Sequence, residues 1–284
     1  MSTLTALIST QHLFPVQTGL PDILEMTCFL LLGNTGTIGE PGSALDHSGG
    51  SLVPRLLMHI SSTTVHKPYI QTSYGNIRYP YGTSQQGPLV EVIHDAFQGL
   101  SYWSDFMPWP SYSGVMIDVH EYQIFSTGEV AMSWDQHIST ACSKRSQYGS
   151  FHLWTVTGEW TLAFTDCAKY LNGRGVGARY DGSYPGSSHI GSCTPWTGNG
   201  NTFSDDYKVF LRKFWEAQVT GKHPLLIIPR GERPIYMAAW EMGVGWIYWT
   251  WKAENVDEWS YQAGLNFGWI PRDPNQRLYP GICG

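Results

Sequence analysis

From residue 89 onward, apolar runs of strand length alternate with amphipathic stretches of helix length. Leu89-Val90-Glu91-Val92-Ile93-His94 reads as a buried strand, with Asp95-Ala96-Phe97 as its exit. Gly114 to His120 is a second strand that continues through Glu121-Tyr122-Gln123-Ile124-Phe125. Alternation puts its Asp118, His120 and Tyr122 on one face. Between Trp134 and about Gln147, Ile138, Ala141 and Cys142 recur at helical spacing. A third strand, 153 to 158, runs into Gly158-Glu159-Trp160, and period two sets Leu153, Thr155, Thr157 and Glu159 on one face. Asp166 to Leu171 reads as a short helix closed by Asn172-Gly173. Ser204 caps a strong helix with Asp205 and Asp206 in its first turn. Its Tyr207, Phe210, Leu211, Phe214 and Gln218 follow the i, i+3, i+4 pattern to Gly221. Gly245 to Trp251 is the last strand, with Trp249 and Trp251 on one face.

Two stretches carry no such pattern. Before about residue 70, Gly33-Asn34-Thr35-Gly36-Thr37 and Gly39-Glu40-Pro41-Gly42-Ser43 break every candidate element. Residues 222 to 244 are irregular, and Pro224, Pro229 and Pro234 interrupt any helix there. The remaining order of strand, helix, strand, helix, strand has crossovers long enough to require parallel pairing, so the fold class is α/β. A (β/α)8 TIM barrel explains why His120, Tyr122, Glu159 and Trp249 all fall where strands finish, since such barrels gather polar residues at their C-terminal strand ends. Glu159 stands out among them, because a carboxylate ending a buried strand is costly to desolvate without partners.

Composition narrows the function. Charged residues make up 14% and aromatics another 14%, with 13 tryptophans and 16 tyrosines, an excess that provides flat apolar faces for sugar rings as well as core. The net charge is −6 and no Lys/Arg stripe occurs, which argues against a nucleic-acid partner. Gly173-Arg174-Gly175-Val176-Gly177 follows a helix instead of a strand and lacks dinucleotide-loop spacing. His94, His137 and His152 make no credible metal set, so neither metal nor cofactor is expected. The five cysteines lack zinc-site spacing, leaving widely spaced bridges or free thiols. The apolar patch in 22–32 has no basic lead and contains Glu25, so neither a signal peptide nor a membrane span is read.

Five motifs together point to one family. Ile93-His94-Asp95-Ala96-Phe97, His120-x-Tyr122-Gln123-x-Phe125, Gly158-Glu159-Trp160, Asp166-Cys167-Ala168-Lys169-Tyr170-Leu171-Asn172-Gly173 and Trp249-Thr250-Trp251-Lys252-Ala253-Glu254 occur in this order. In them the chain resembles the fungal exo-β-1,3-glucanases of glycoside hydrolase family 5, mainly over residues 72–284. The resemblance implies a single catalytic domain over 1–284, with 72–284 as the C-terminal half of the barrel, 1–71 poorly matching and 221–244 an atypical insertion. It further implies retaining hydrolysis that releases glucose from β-1,3-glucan ends. Glu159 matches the nucleophile, His120 and Tyr122 the pair bonded around it, Trp249 the platform under the sugar, and Phe125 an aromatic at the pocket entrance. Asn172 falls in a substrate-side motif. The same resemblance implies the bridges Cys142–Cys283 and Cys167–Cys193, an extracellular or cell-wall location, and a monomer without membrane partners.

One departure bears on activity. The family's acid/base lies in an Asn-Glu-Pro triplet, which this sequence does not contain. Glu40, in a lone Glu-Pro, is a weak substitute, because its surroundings resemble a different loop of the family. The expectation is a barrel incomplete or rearranged in its N-terminal half. Two readings follow: a working exo-glucanase, or an impaired or inactive truncated relative that at most binds β-glucan.

Overall fold

The computed structural model describes residues 7–9, 63–221 and 245–284. Glu40, Cys28, the poorly matching start and the irregular 222–244 segment lie outside the described residues, apart from the short strand near the start. Strands β1 (Leu7–Ser9), β2 (Glu91–His94), β3 (Val115–Glu121), β4 (Trp154–Trp160) and β5 (Gly245–Tyr248) form a sheet of order β1-β5-β4-β3-β2. β2 pairs in parallel with β3, β4 in parallel with β5, and β1 runs antiparallel to β5. The fold is thus α/β, with a four-stranded parallel sheet among the described residues.

The chain divides into two compact units. The first includes Val119–Phe151, Thr155 onward and β1. Two of its helices, α2 (Thr127–Val130) and α3 (Trp134–Ser150), open with complete capping boxes, Ser126 with Glu129 and Ser133 with Gln136. Helix α4 (Asp205–Gly221) begins as expected, the Ser204 hydroxyl accepting from the Tyr207 N–H at 3.2 Å. Its buried Tyr207, Phe210, Leu211, Phe214 and Trp215 form the core with Trp160, Trp246 and Tyr248. Each such side chain contributes on the order of 1.5–3 kcal/mol through burial. Trp134 of α3 stacks on Phe210 of α4 with centroids 4.7 Å apart. Helix α5 (Tyr261–Phe267) ends at Gly268, whose φ of 88° is the left-handed cap glycine tolerates. Bridges Cys142–Cys283 and Cys167–Cys193 are both formed.

The second unit contains described residues 63–118 together with His152–Trp154. A helix, α1 (Thr63–Arg78), stands where the sequence shows no amphipathic helix, and it carries Pro68 inside it. Ile70, Tyr74 and Arg78 are buried at i, i+4 intervals, so tertiary packing outweighs the proline. The Arg78 guanidinium donates from Nε to the Ser113 carbonyl at 3.0 Å and from Nη1 to the Gly87 carbonyl at 2.8 Å, and also reaches the Leu89 carbonyl. Gly114, at φ +70°, lies so close that a Cβ would meet the Arg78 guanidinium at 2.7 Å. At the end of β2, the His94 Nδ1 accepts from the Ala96 N–H at 2.9 Å and the Asp95 carboxylate from the Phe97 N–H at 2.9 Å, shaping a tight turn.

Three expected elements differ. β3 stops at Glu121, whereas the strand was expected to continue to Phe125. Residues 166–171 form turns instead of a helix. The buried Asp166 carboxylate accepts from the backbone N–H groups of Arg179 (2.7 Å) and Tyr180 (3.1 Å), Cys167 is tied to Cys193, and Tyr170 sits at φ +70°. Those bonds substitute for helical ones. The last strand stops at Tyr248, three residues before the expected end.

Candidate active site

The site is built at the C-terminal ends of β3, β4 and β5 within the first unit. Along β4, Thr155 and Thr157 are buried and Glu159 emerges on the same side, its side chain 29% exposed. Trp160 points the other way, fully buried edge-on against Trp246 (5.2 Å) and Tyr248 (4.9 Å). The pleat therefore drives an indole into the core and in doing so presents the preceding carboxylate.

At the end of β3 the same alternation separates two tasks. Glu121 turns to α3, accepting from Lys144 Nζ at 2.9 Å and from the Tyr148 hydroxyl at 2.7 Å. His120 and Tyr122 turn to Glu159: the Tyr122 hydroxyl donates to Oε2 at 2.7 Å, and His120 Nδ1 lies 3.3 Å from the same oxygen. Two partners converging on one oxygen fix the rotation of the carboxylate.

Aromatic rings frame this group. Phe125, 44% exposed, meets the Tyr122 ring edge-on at 5.4 Å. Trp259, buried, lies against Tyr122 at 6.1 Å, and its carbonyl accepts from the Thr250 N–H at 2.9 Å. Trp249 follows β5; its N–H donates to the Trp160 carbonyl at 2.9 Å, the residue is 36% exposed, and the Trp249–Thr250 peptide is cis. That hydrogen bond sets the Trp249 backbone beside the strand end that carries Glu159. Register agrees, with Val156 opposite Gly245 and Thr157 opposite Trp246.

Asn172 is engaged elsewhere. Its Nδ2 donates to Asp166 Oδ2 at 2.9 Å and to the Gly177 carbonyl at 3.0 Å, and its Oδ1 accepts from Arg179 Nη1 at 2.7 Å. With Asp166 and Arg179, themselves 3.2 Å apart, it holds together the loop closed by Cys167–Cys193. Trp259 was missed in the sequence, where only its place among many aromatics marked it. Among the described residues no group of three His, Cys, Asp or Glu could hold a metal, and no helix is long and apolar enough to cross a membrane.

No family model matches the chain. It is 37% identical over 220 residues to a glucan 1,3-beta-glucosidase of Candida oleophila, covering 77% of this chain and 47% of that relative. A glucan 1,3-beta-glucosidase of Schwanniomyces occidentalis is 36% identical over 218 residues, 77% of this chain and 46% of the relative. A probable glucan 1,3-beta-glucosidase A of Aspergillus niger reaches 41% over 193 residues, 67% of this chain and 41% of the relative. Most of this chain is thus homologous to fungal proteins of that name, and it spans about half the length of the curated relatives it matches.

Proposed function

We propose that this chain is the glucan-hydrolysing part of a retaining β-glucosidase, with Glu159 as nucleophile and β-1,3-glucan chain ends as substrate. The hydrogen bond from the Tyr122 hydroxyl to Glu159 Oε2, beside His120, carries the assignment. A hydrogen bond donated to the carboxylate favours its ionised form and aims it, as attack on an anomeric carbon requires. In the retaining reaction Glu159 displaces the leaving sugar to give a glycosyl ester, and water then releases glucose with the β configuration kept. Trp249 supplies the face under the ring and Phe125 borders the entrance. Asn172 acts on the substrate side through the Asp166–Arg179 loop that it braces. The chemistry requires no cofactor.

The full fold on this reading is a (β/α)8 barrel acting as a single monomeric domain, of which the parallel sheet is part. An extracellular or cell-wall location accords with the two disulfides, which persist in oxidising compartments. A second reading rests on the missing Asn-Glu-Pro: without an acid on the leaving-group side, Glu159 would be glycosylated only by substrates whose leaving group departs without protonation.

The test is trapping with 2,4-dinitrophenyl 2-deoxy-2-fluoro-β-glucoside, whose leaving group needs no proton, followed by peptide mapping. Labelling at Glu159 together with glucose release from laminarin supports the working enzyme. Labelling without laminarin turnover supports the impaired relative, and no labelling of a folded protein sinks the nucleophile assignment.

A further inference from the structure

His137 is fully buried, and the proposed reaction does not use it. It lies in the first turn of α3, its ring between Phe164 and Phe214, with centroids 5.7 Å from each. Burial pushes its pKa down to about 4, so the ring is neutral at ordinary pH. Its Nδ1 is 2.9 Å from Gln123 Oε1. An amide oxygen can only accept, so Nδ1 carries the ring proton and donates it. Nε2 has no hydrogen-bond partner among the described residues, which leaves the Gln123 contact as the ring's one hydrogen bond there.

Gln123 directly follows Tyr122, whose hydroxyl reaches Glu159, and Ile124 beyond it is fully buried in a small core with Val130, Ala163 and Trp259. Tyr122 and Gln123 therefore leave the chain in opposite directions, one to the carboxylate and one to α3. We propose that Gln123, held by His137, is a positioning residue that fixes Tyr122 against Glu159. The proposal rests on Glu159 being the nucleophile only for its catalytic consequence. Side chains that lock a neighbouring group matter because displacements near 1 Å at a reacting centre cost up to about a hundredfold in rate.

The experiment places 3-fluorotyrosine at position 122 and reads its fluorine resonance, with the trapping rate of Glu159 measured in parallel. Gln123→Leu should shift or broaden the resonance and slow trapping roughly tenfold, whereas Gln123→Glu, which keeps an acceptor for Nδ1–H, should restore both. In a Tyr122→Phe background, Gln123→Leu should change trapping by less than about twofold, because the two act as one unit. An unchanged resonance in folded Gln123→Leu, or full multiplication of the two rate losses, overturns the proposal. Should Gln123→Leu fail to fold, Gln123→Glu decides: a resonance differing from wild type by as much as that of His137→Phe counts against an acceptor's role. A resonance change in Gln123→Leu together with no labelling of the folded wild type sinks the nucleophile assignment while supporting the Gln123–Tyr122 coupling.

Discussion

The Tyr122 hydroxyl donates to Glu159 Oε2 at 2.7 Å, while the Tyr122 ring is held by Phe125 on one side and Trp259 on another. Hydrogen bond and ring packing are separable. Tyr122→Phe removes the hydroxyl and keeps the ring contacts, so the protein should still fold and any fall in melting temperature reports the hydrogen bond alone. A hydrogen bond to a charged group is worth about 1.5–3 kcal/mol, so trapping of Glu159 should slow roughly ten- to hundredfold. Single-turnover labelling kinetics check this, and an unchanged rate would remove Tyr122 from the site.

Much of this site was legible because strand periodicity is simple. Alternation placed His120 and Tyr122 on one face and Glu159 at a strand end, and burial confirms the pleat through Thr155 and Thr157. Ser204 was legible as a cap because its hydroxyl acts locally. What escaped depends on distant partners. The helix at Thr63–Arg78 overrides Pro68 by burying Ile70 and Tyr74, and the Asp166 turns exist because Arg179 and Tyr180, more than ten residues on, supply N–H groups. Trp259 and the Gln123–His137 pair were invisible for the same reason.

Trp249 is 36% exposed while its backbone is bound to Trp160. Removing the ring should therefore cost little stability and act on sugar binding. Trp249→Ala should lower kcat/KM for laminarin or an aryl glucoside roughly tenfold, since an aromatic face contributes on the order of 1–2 kcal/mol to the positive charge that develops on the sugar ring in the transition state. Steady-state kinetics with a melting control decide it.

Glu258 is 2% exposed, and burial raises its pKa from 4.5 to about 8. Its folded pKa is higher than its unfolded one, so the folded state holds the proton more tightly. Stability from this group is complete below about pH 4.5 and is lost as pH rises through about 8. Urea midpoints should fall across that window, and Glu258→Gln should flatten the fall. Glu91, raised by burial to about 7, has the same sign and will leave part of the slope in place.

Glu216 ties α4 to the end of the chain. Its Oε1 accepts from Arg212 Nε at 2.6 Å and from the Leu278 N–H at 2.8 Å, and its Oε2 accepts from the Tyr279 N–H at 2.8 Å. Four residues later Cys283 is bridged to Cys142 of α3, so a carboxylate and a disulfide hold the same short segment from two sides. Glu216→Ala would leave the buried Arg212 charge and two backbone N–H groups without their acceptor. Breaking a buried pair from one side costs about 3–5 kcal/mol, enough to lower the melting temperature by several degrees. The loss should also appear locally, as faster proteolytic cleavage near 276–280 and faster reduction of Cys142–Cys283 than of Cys167–Cys193. Equal reduction rates with an unchanged melting temperature would show that the disulfide alone holds the segment.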